Sequence, residues 1–421
     1  MKEPSQRKLI AAAVALLSSA GASALELNAG DYKFSVNGNV NVHYIYSVCE
    51  KNPVAIVTVG GACTKNGSTR NNSSVSNGLL PAALAFGIAT TQSGLDIAAH
   101  FGLFPGVSTN DGGSPNLQTG APLGSNVGLG TTGLDIRQVY LTFGNKDIGT
   151  FQLGRNFGLF GFDAIINDIT IPGVGVAGSA STGGPANTTL GSIGFGYVYV
   201  DTLAQINYTT PDLAGFKVTL GIYDPLNPLL GGGSSQKSEP GFQGKLVYGL
   251  DFSKDTKLYL SSSFLTQQQR DVGTVGAPVI GQNYRSYGVD FGGKFDIANF
   301  EVLGWYYYGK GLGTTGLFIL SDDGLGNRRG SNGYLVQGSY KLGALKLGVN
   351  YGASRLGYAN AADQASTPNL LASNTKVTGG AYYSLTKNLT LVGEVSSAET
   401  KAHNGGKNQS TNFNIGTFLS F

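Results

Sequence analysis

The chain closes on TNFNIGTFLSF, Thr411 to Phe421, with a bulky aromatic as its last residue. Chain termini are ordinarily frayed and polar. With a period of two, Phe413, Ile415, Thr417, Leu419 and Phe421 share one face, and Asn412, Asn414, Gly416 and Ser420 share the other. That is a β-strand with one apolar face. Taken alone, such a strand covers the core of a soluble sandwich or faces lipid, so the choice rests on the rest of the chain.

At the other end, Lys2, Arg7 and Lys8 precede LIAAAVALLSSAGASA, which finishes in the small-residue pattern Ala22-Ser23-Ala24. A basic start, a short apolar run and small residues predict a secretory signal peptide over residues 1–24, cleaved after Ala24. Leu9 to Leu17 is too short for a helix that must cross a hydrocarbon core with about 20 apolar residues. The longest later apolar run, LLPAALAFGIA from Leu79 to Ala89, is also too short. Residues 25–421 are therefore expected to form an exported domain, either soluble or a barrel. The composition favours the barrel. The chain has 65 Gly, 21 Tyr and 21 Phe, with 13% charged residues, against about 25% in ordinary soluble domains.

The same alternation recurs along the chain. FKVTLGIY sets Phe216, Val218, Leu220 and Ile222 against Lys217, Thr219, Gly221 and Tyr223, and FQGKLVYGLDF sets Phe242, Leu246, Tyr248, Leu250 and Phe252 against Gln243, Lys245 and Asp251. Strands of about ten residues, apolar on one face and polar on the other, are the mark of a membrane barrel, whereas globular strands are commonly five or six residues long. From Tyr32 onward sixteen such strands are predicted. Seven short links join them in pairs, at residues 90–94, 145–149, 211–215, 253–256, 296–299, 342–344 and 386–388, all rich in turn formers. Eight long links centre near residues 62, 118, 178, 232, 275, 320, 363 and 404. Short turns on one side and long loops on the other define an all-β, 16-stranded antiparallel transmembrane β-barrel with periplasmic turns and external loops.

A closed barrel leaves no strand edge, because unpaired backbone groups in hydrocarbon cost several kcal/mol each. The last strand must then pair with the first, which accounts for a terminus that is structural to its final residue. Sixteen strands enclose more space than side chains fill and leave an aqueous channel. The expected partners are outer-membrane lipid on the outside, and ions and small hydrophilic solutes inside.

At this level the chain resembles the general porins of Gram-negative outer membranes. The most specific stretch is IRQVYLTFGNKDIGTFQLGRNFGLFGFDAI, Ile136 to Ile165, which is similar to the porin segment ending in G-R-N/D-x-G and a loop carrying D-A. The resemblance implies a homotrimer, recognition of the terminal strand by the barrel-insertion machinery, and an inward-folded third loop at about residues 158–200. That loop opens with Phe162, Ile165, Ile166, Ile169 and Ile171, which suit an inner wall better than solvent. The resemblance further implies a constriction with Arg137 and Arg155 on the wall facing Asp163 and Asp168 on the loop. The alternative for both arginines is a strand-end pairing with Asp135 or Asp163. Arg137 also shares parity with Val139, Leu141 and Phe143, so that face is not lipid-facing or a bulge intervenes. Asn39 and Ala82–Ala83 stand where better-known relatives carry basic residues, which weakens the expected basic wall.

Lys217, Lys245, Lys257, Lys294 and Lys346, with Asp290 and Glu394, fall on the inward parity and are expected to line the pore, with rim solvation the alternative for the lysines. The formal charge of +3 includes +2 from Lys2, Glu3, Arg7 and Lys8, leaving +1 and no sign of a nucleic-acid partner. Cys49 and Cys63, the only cysteines in an exported chain, are read as a disulfide. Three scattered histidines lack metal-ligand spacing, no G-x-S-x-G element appears, and GLGTTG lacks the terminal Lys of a phosphate loop. The chain is expected to be neither an enzyme nor a metal or cofactor protein.

Overall fold

The structure, a computed structural model, describes residues 25–50, 54–63, 71–107, 134–178, 188–226, 238–270 and 283–421; the predicted signal segment lies outside them. Among the described residues, one antiparallel sheet contains every strand. In chain order these are β1 Leu25–Ala29, β2 Tyr32–Cys49, β3 Asn71–Ser76, β4 Ala83–Gln92, β5 Leu95–Pro105, β6 Leu134–Asn145, β7 Gly149–Phe157, β8 Thr202–Thr209 and β9 Phe216–Tyr223. They continue with β10 Gly241–Ser253, β11 Thr256–Arg270, β12 Asn283–Ile297, β13 Phe300–Lys310, β14 Gly330–Leu342, β15 Leu345–Leu356, β16 Leu371–Ser384, β17 Leu389–Ala402 and β18 Lys407–Ser420. Two short helices, α1 Phe162–Ile166 and α2 Ala361–Ser366, lie in loops.

Eighteen strands occupy sixteen positions because two positions are shared, and both sharings occur on β2. On one edge, β2 pairs with β18 through Asn39–Cys49 and with β1 through Tyr32–Val36. On the other it pairs with β3 through His43–Val48 and with β4 through Tyr32–Asn39. Phe421 and Gly38 exchange backbone hydrogen bonds of 3.0 and 2.9 Å, so pairing runs to the last residue. The sheet closes into the expected sixteen-stranded barrel.

Alternation sets the two faces. In β18 Phe413, Ile415 and Leu419 are 45%, 68% and 40% exposed, whereas Asn412, Asn414 and Ser420 are buried; the apolar row faces outward and the polar row inward. Aromatic pairs mark both ends of the outer surface: Phe143–Phe151, Phe216–Tyr248 and Phe300–Tyr340 near the turns, and Tyr287–Tyr308 and Tyr334–Tyr351 near the loops. Such girdles sit at the two membrane–water boundaries of outer-membrane barrels.

The seven short turns lie where the sequence puts them. Between β4 and β5, Ser93 and Gly94 have φ of 51° and 78°, the mirror-image turn whose twist matches a two-residue hairpin. The last long link is a correction. β17 and β18 extend to Ala402 and Lys407, and only four residues join them, with Ala402 N–H donating to Gly406 O at 2.7 Å. Asn404 and Gly405–Gly406 make a tight turn that their composition had suggested was a loop.

Candidate pore constriction

Residues 158–178 and 188–201 lie inside the barrel, and inward side chains of successive strands hold them there. Leu159 N–H donates to Gln243 Oε1 on β10 and Gly161 N–H to Asp290 Oδ2 on β12, at 3.0 and 2.6 Å. Gln337 on β14 accepts from Ile169 N–H and donates to Asn167 O. Glu394 on β17 accepts from Val174 and Gly175 N–H, both at 2.8 Å, and Ser396 donates to Gly175 O. On the return path Asn374 on β16 donates to Gly194 O, and Gly196 N–H donates to Ser354 Oγ on β15. A loop enclosed by the barrel needs partners for its backbone, and inward amides, hydroxyls and carboxylates supply them.

Apolar packing completes the attachment. Phe162, Ala164, Ile165, Tyr197 and Val200 pack on inward Leu303, Trp305 and Leu335. Wall glycines leave room for the loop: a Cβ at Gly348 would overlap Ile169, and one at Gly352 would overlap Phe195 O. Part of the chain's glycine content is thus a set of seats on the inner wall.

The predicted constriction residues are arranged differently from the expectation. Arg137 is 4% exposed and pairs with Asp135, its guanidinium 5.3 Å from the Phe104 ring centre. The β5–β6 register shifts by one residue there, with Gly102 opposite Gln138 and Leu103 opposite Ile136. A bulge at Arg137 therefore resolves its parity: Ile136, Val139 and Leu141 remain exposed outside while Arg137 turns in. Arg155 is a correction, since it pairs directly with Val139 and Ala204, both on the outer face. Adjacent cross-strand partners share a face, which takes Arg155 off the lumen wall. FQLGRNF already carried the signal, because Arg155 keeps the parity of Phe151 and Leu153.

Asp163 and Asp168 lie on the loop but turn toward the wall or the loop itself. Asp163 accepts from Tyr259 and Ser261 hydroxyls at 2.7 and 2.9 Å and pairs with Lys245 at 3.1 Å, with Lys245 Nζ 5.0 Å from the Phe162 ring centre. Asp168 accepts from Tyr197 OH at 2.8 Å, from Thr170, and from Asn350 Nδ2 on β15. Asp290 and Glu394 are inward as expected, yet they are 1% and 3% exposed beneath the loop rather than facing open lumen. Asp290 also accepts from Ser263 N–H and Oγ. These four carboxylates act as anchors of the loop. The sequence did not mark the amides and hydroxyls that join them, although their inward parity was legible.

The other lysines gather at the turn end. Lys217 pairs with Asp212, Lys257 with Asp251, Lys294 with Asp296 and Glu301, and Lys346 with Glu301, at 3.3–4.0 Å. Their side chains are 23–50% exposed, so the turn end is wet and carries both signs of charge. At the loop end Cys49 and Cys63 are joined by a disulfide, and residues 54–63 hydrogen-bond to Asn369, Thr400 and Asn408. Among the described residues, no cluster of His, Cys, Asp and Glu could hold a metal ion.

Against known proteins, a family profile described as Gram-negative porin matches residues 11–403. The outer-membrane channel DcaP of Acinetobacter baumannii is similar at 15% identity and a TM-score of 0.65, covering 96% of this chain and 100% of that one. OmpF of Salmonella typhi, solved with daunomycin, is 12% identical with a TM-score of 0.55 over 94% and 100% of the two chains. The trimer form of Vibrio cholerae OmpT is 11% identical with a TM-score of 0.51 over 93% and 99%. No curated protein sequence matches the chain.

Proposed function

The chain belongs to the Gram-negative porin family, forming an outer-membrane channel, and from that premise we propose how this channel is built and used. Ions and small hydrophilic solutes pass by diffusion through a lumen narrowed by the loop at about 158–200. The observation that carries this reading is the attachment of that loop to inward side chains from β10 to β17. Planar-bilayer recording of the purified protein should give discrete conductance steps. Absence of steps from folded protein would overturn the channel reading for this chain. Deleting Ile171–Thr189, part of which lies outside the described residues, should enlarge the steps; an unchanged step in a folded deletion would refute the constriction.

The second reading is a substrate-specific channel. It is favoured by the hold of residues 54–63 on Asn369, Thr400 and Asn408 at the loop end in addition to the third loop, and saturable block of the current by one solute class would establish it. The anchoring carboxylates argue against a strong transverse field, because Asp163 and Asp168 are consumed by wall and loop contacts. Lys217, Lys257, Lys294 and Lys346 are proposed to line the periplasmic vestibule, and Arg137 and Lys245 to flank the constriction. A catalytic role is not proposed.

Export is proposed through cleavage after Ala24, which would make Leu25, the first residue of β1, the new N-terminus. Intact-mass measurement of the outer-membrane form checks the cleavage site. Insertion through recognition of the strand ending at Phe421 and assembly as a homotrimer are proposed with it. Arg155 supports a protein neighbour on the early strands, since a charged group on a lipid-facing surface is costly.

A further inference from the structure

The link between β13 and β14 also enters the barrel. Its first part, GLGTTGLFILS from Gly311 to Ser321, contains no charged residue. Leu312 and Phe318 are fully buried, and Leu317, Ile319 and Leu320 are 4–6% exposed. Leu312, Leu317 and Phe318 join Phe160 and Val198 of the third loop and inward Leu265 and Tyr307 in one apolar cluster. Leu312 occupies space left by two wall glycines, since a Cβ at Gly288 or Gly309 would stand 2.8 or 2.7 Å from it.

Thr315 is the crossing point of three links. Its carbonyl accepts from Tyr199 N–H of the third loop at 2.9 Å, and its hydroxyl donates to Val59 O of the first at 2.6 Å. Gly60 and Gly194 press on the same residue: a Cβ at either would lie 3.1 Å from Thr315 Cγ2 or 2.7 Å from its Oγ1. The third loop is fixed by several buried carboxylates, whereas residues 311–319 are held by apolar contact and neutral hydrogen bonds, and charged partners, Arg329 and Asp322, join only at Leu320 and Ser321. Phe318 and Leu320 have φ of 62° and 58°, a left-handed conformation that bulky side chains adopt only under restraint. Restrained at Phe318 and Leu320 and uncharged throughout, the segment differs in kind from the carboxylate-anchored third loop.

We propose that Gly311–Ser321 is a second constriction element, latched at Thr315 to the first and third loops, that sets the size limit at the external mouth. Its apolar side chains are buried against the wall and the third loop, so the segment narrows the mouth by the space it fills. The inference rests on the channel reading, and its test separates the two. Full-length protein would be compared with a variant lacking Gly313–Phe318 and with Thr315→Val, which keeps the side chain's shape but removes its donor. Resistance to unfolding in cold detergent verifies the barrel. The excision should enlarge the conductance step and admit larger sugars in liposome swelling. Thr315→Val should keep the main step and add brief transitions to higher conductance. If the wild-type channel conducts while both variants match its step, noise and sugar limit, the latch is refuted and the channel reading stands. If the excision variant does not fold, Thr315→Val decides alone, and wild-type-like traces from it refute the latch.

Discussion

Glu394 illustrates how a charged side chain on the lumen face serves the loop rather than the permeant. One oxygen receives two backbone N–H groups and Asn414, and the other receives Tyr382 OH at 2.6 Å. Glu394→Ala should strand the N–H groups of Val174 and Gly175, and unsatisfied buried donors cost about 1–3 kcal/mol each. Hydrogen exchange should quicken at those two amides, and Glu394→Gln, which keeps an acceptor, should restore most of the protection. Gly348 gives the converse case. Gly348→Val would drive a side chain into Ile169, and overpacking of this kind costs about 1–3 kcal/mol. Thermal unfolding in detergent should fall, and adding Ile169→Ala should recover part of the loss; no recovery would mean that the seat is not what Gly348 supplies. Neither role was visible in the sequence. A carboxylate or glycine on the inward parity was legible, but whether it meets water or a folded-in loop depends on contacts more than a hundred residues away along the chain.

Among the elements, the long strands and the apolar opening of the third loop were legible and the other loops were not, for one physical reason. Lipid imposes alternation on every outward position, so FQGKLVYGLDF could be read without its neighbours, and the broken parity of IRQVYLTF announced the bulge at Arg137. Loops obey no such rule: the composition of 403–406 suits a tight turn and a long link alike, and the local sequence of Gly311–Ser321 does not specify its inward fold. Short β1 and β3 also went unread, since each is a half-strand stacked on another's position. The external helix α2 has a pH response of its own. Asn360 caps it by accepting from Asp363 N–H, and the Arg329 guanidinium makes bonds of 2.8 and 2.6 Å to the buried Asp363 carboxylate. Those bonds hold the Asp363 carboxyl below its ordinary value despite burial. A depressed carboxylate stabilises the fold fully above its unfolded pKa of about 3.9 and loses that contribution as pH falls through the lower folded value. Protection of residues 359–367 against proteolysis should therefore hold at neutral pH and decline below about pH 3.9. Asp363→Asn should weaken it at neutral pH and flatten the pH profile.

For the whole molecule, the assembly and its interior make separate demands on the outer wall. The bulge at Arg137 leaves an apolar outer row on β6, which gives no argument for a protein neighbour; Arg155, on the outer parity of β7, gives one. Cysteines on outward positions of the strands spanning residues 32–157 should crosslink into trimers, and those on β9 to β11 should not; the reverse pattern, or a monomer in mild detergent, would refute this assignment. The sharing of positions around β2 has a kinetic consequence. β2 emerges among the first strands and finds β1, β3 and β4 close by in sequence, but most of one edge waits for β18, with Asn39 paired to Ser420. Closing contacts between segments so far apart in the chain are slow to form. Until the final residues arrive the chain has an adhesive seam, open to any strand that fits, including that of a sister molecule. Every nascent copy thus passes through a window in which it must be escorted, and a chain shortened by even a few residues at Phe421 should linger there and be degraded before it can conduct.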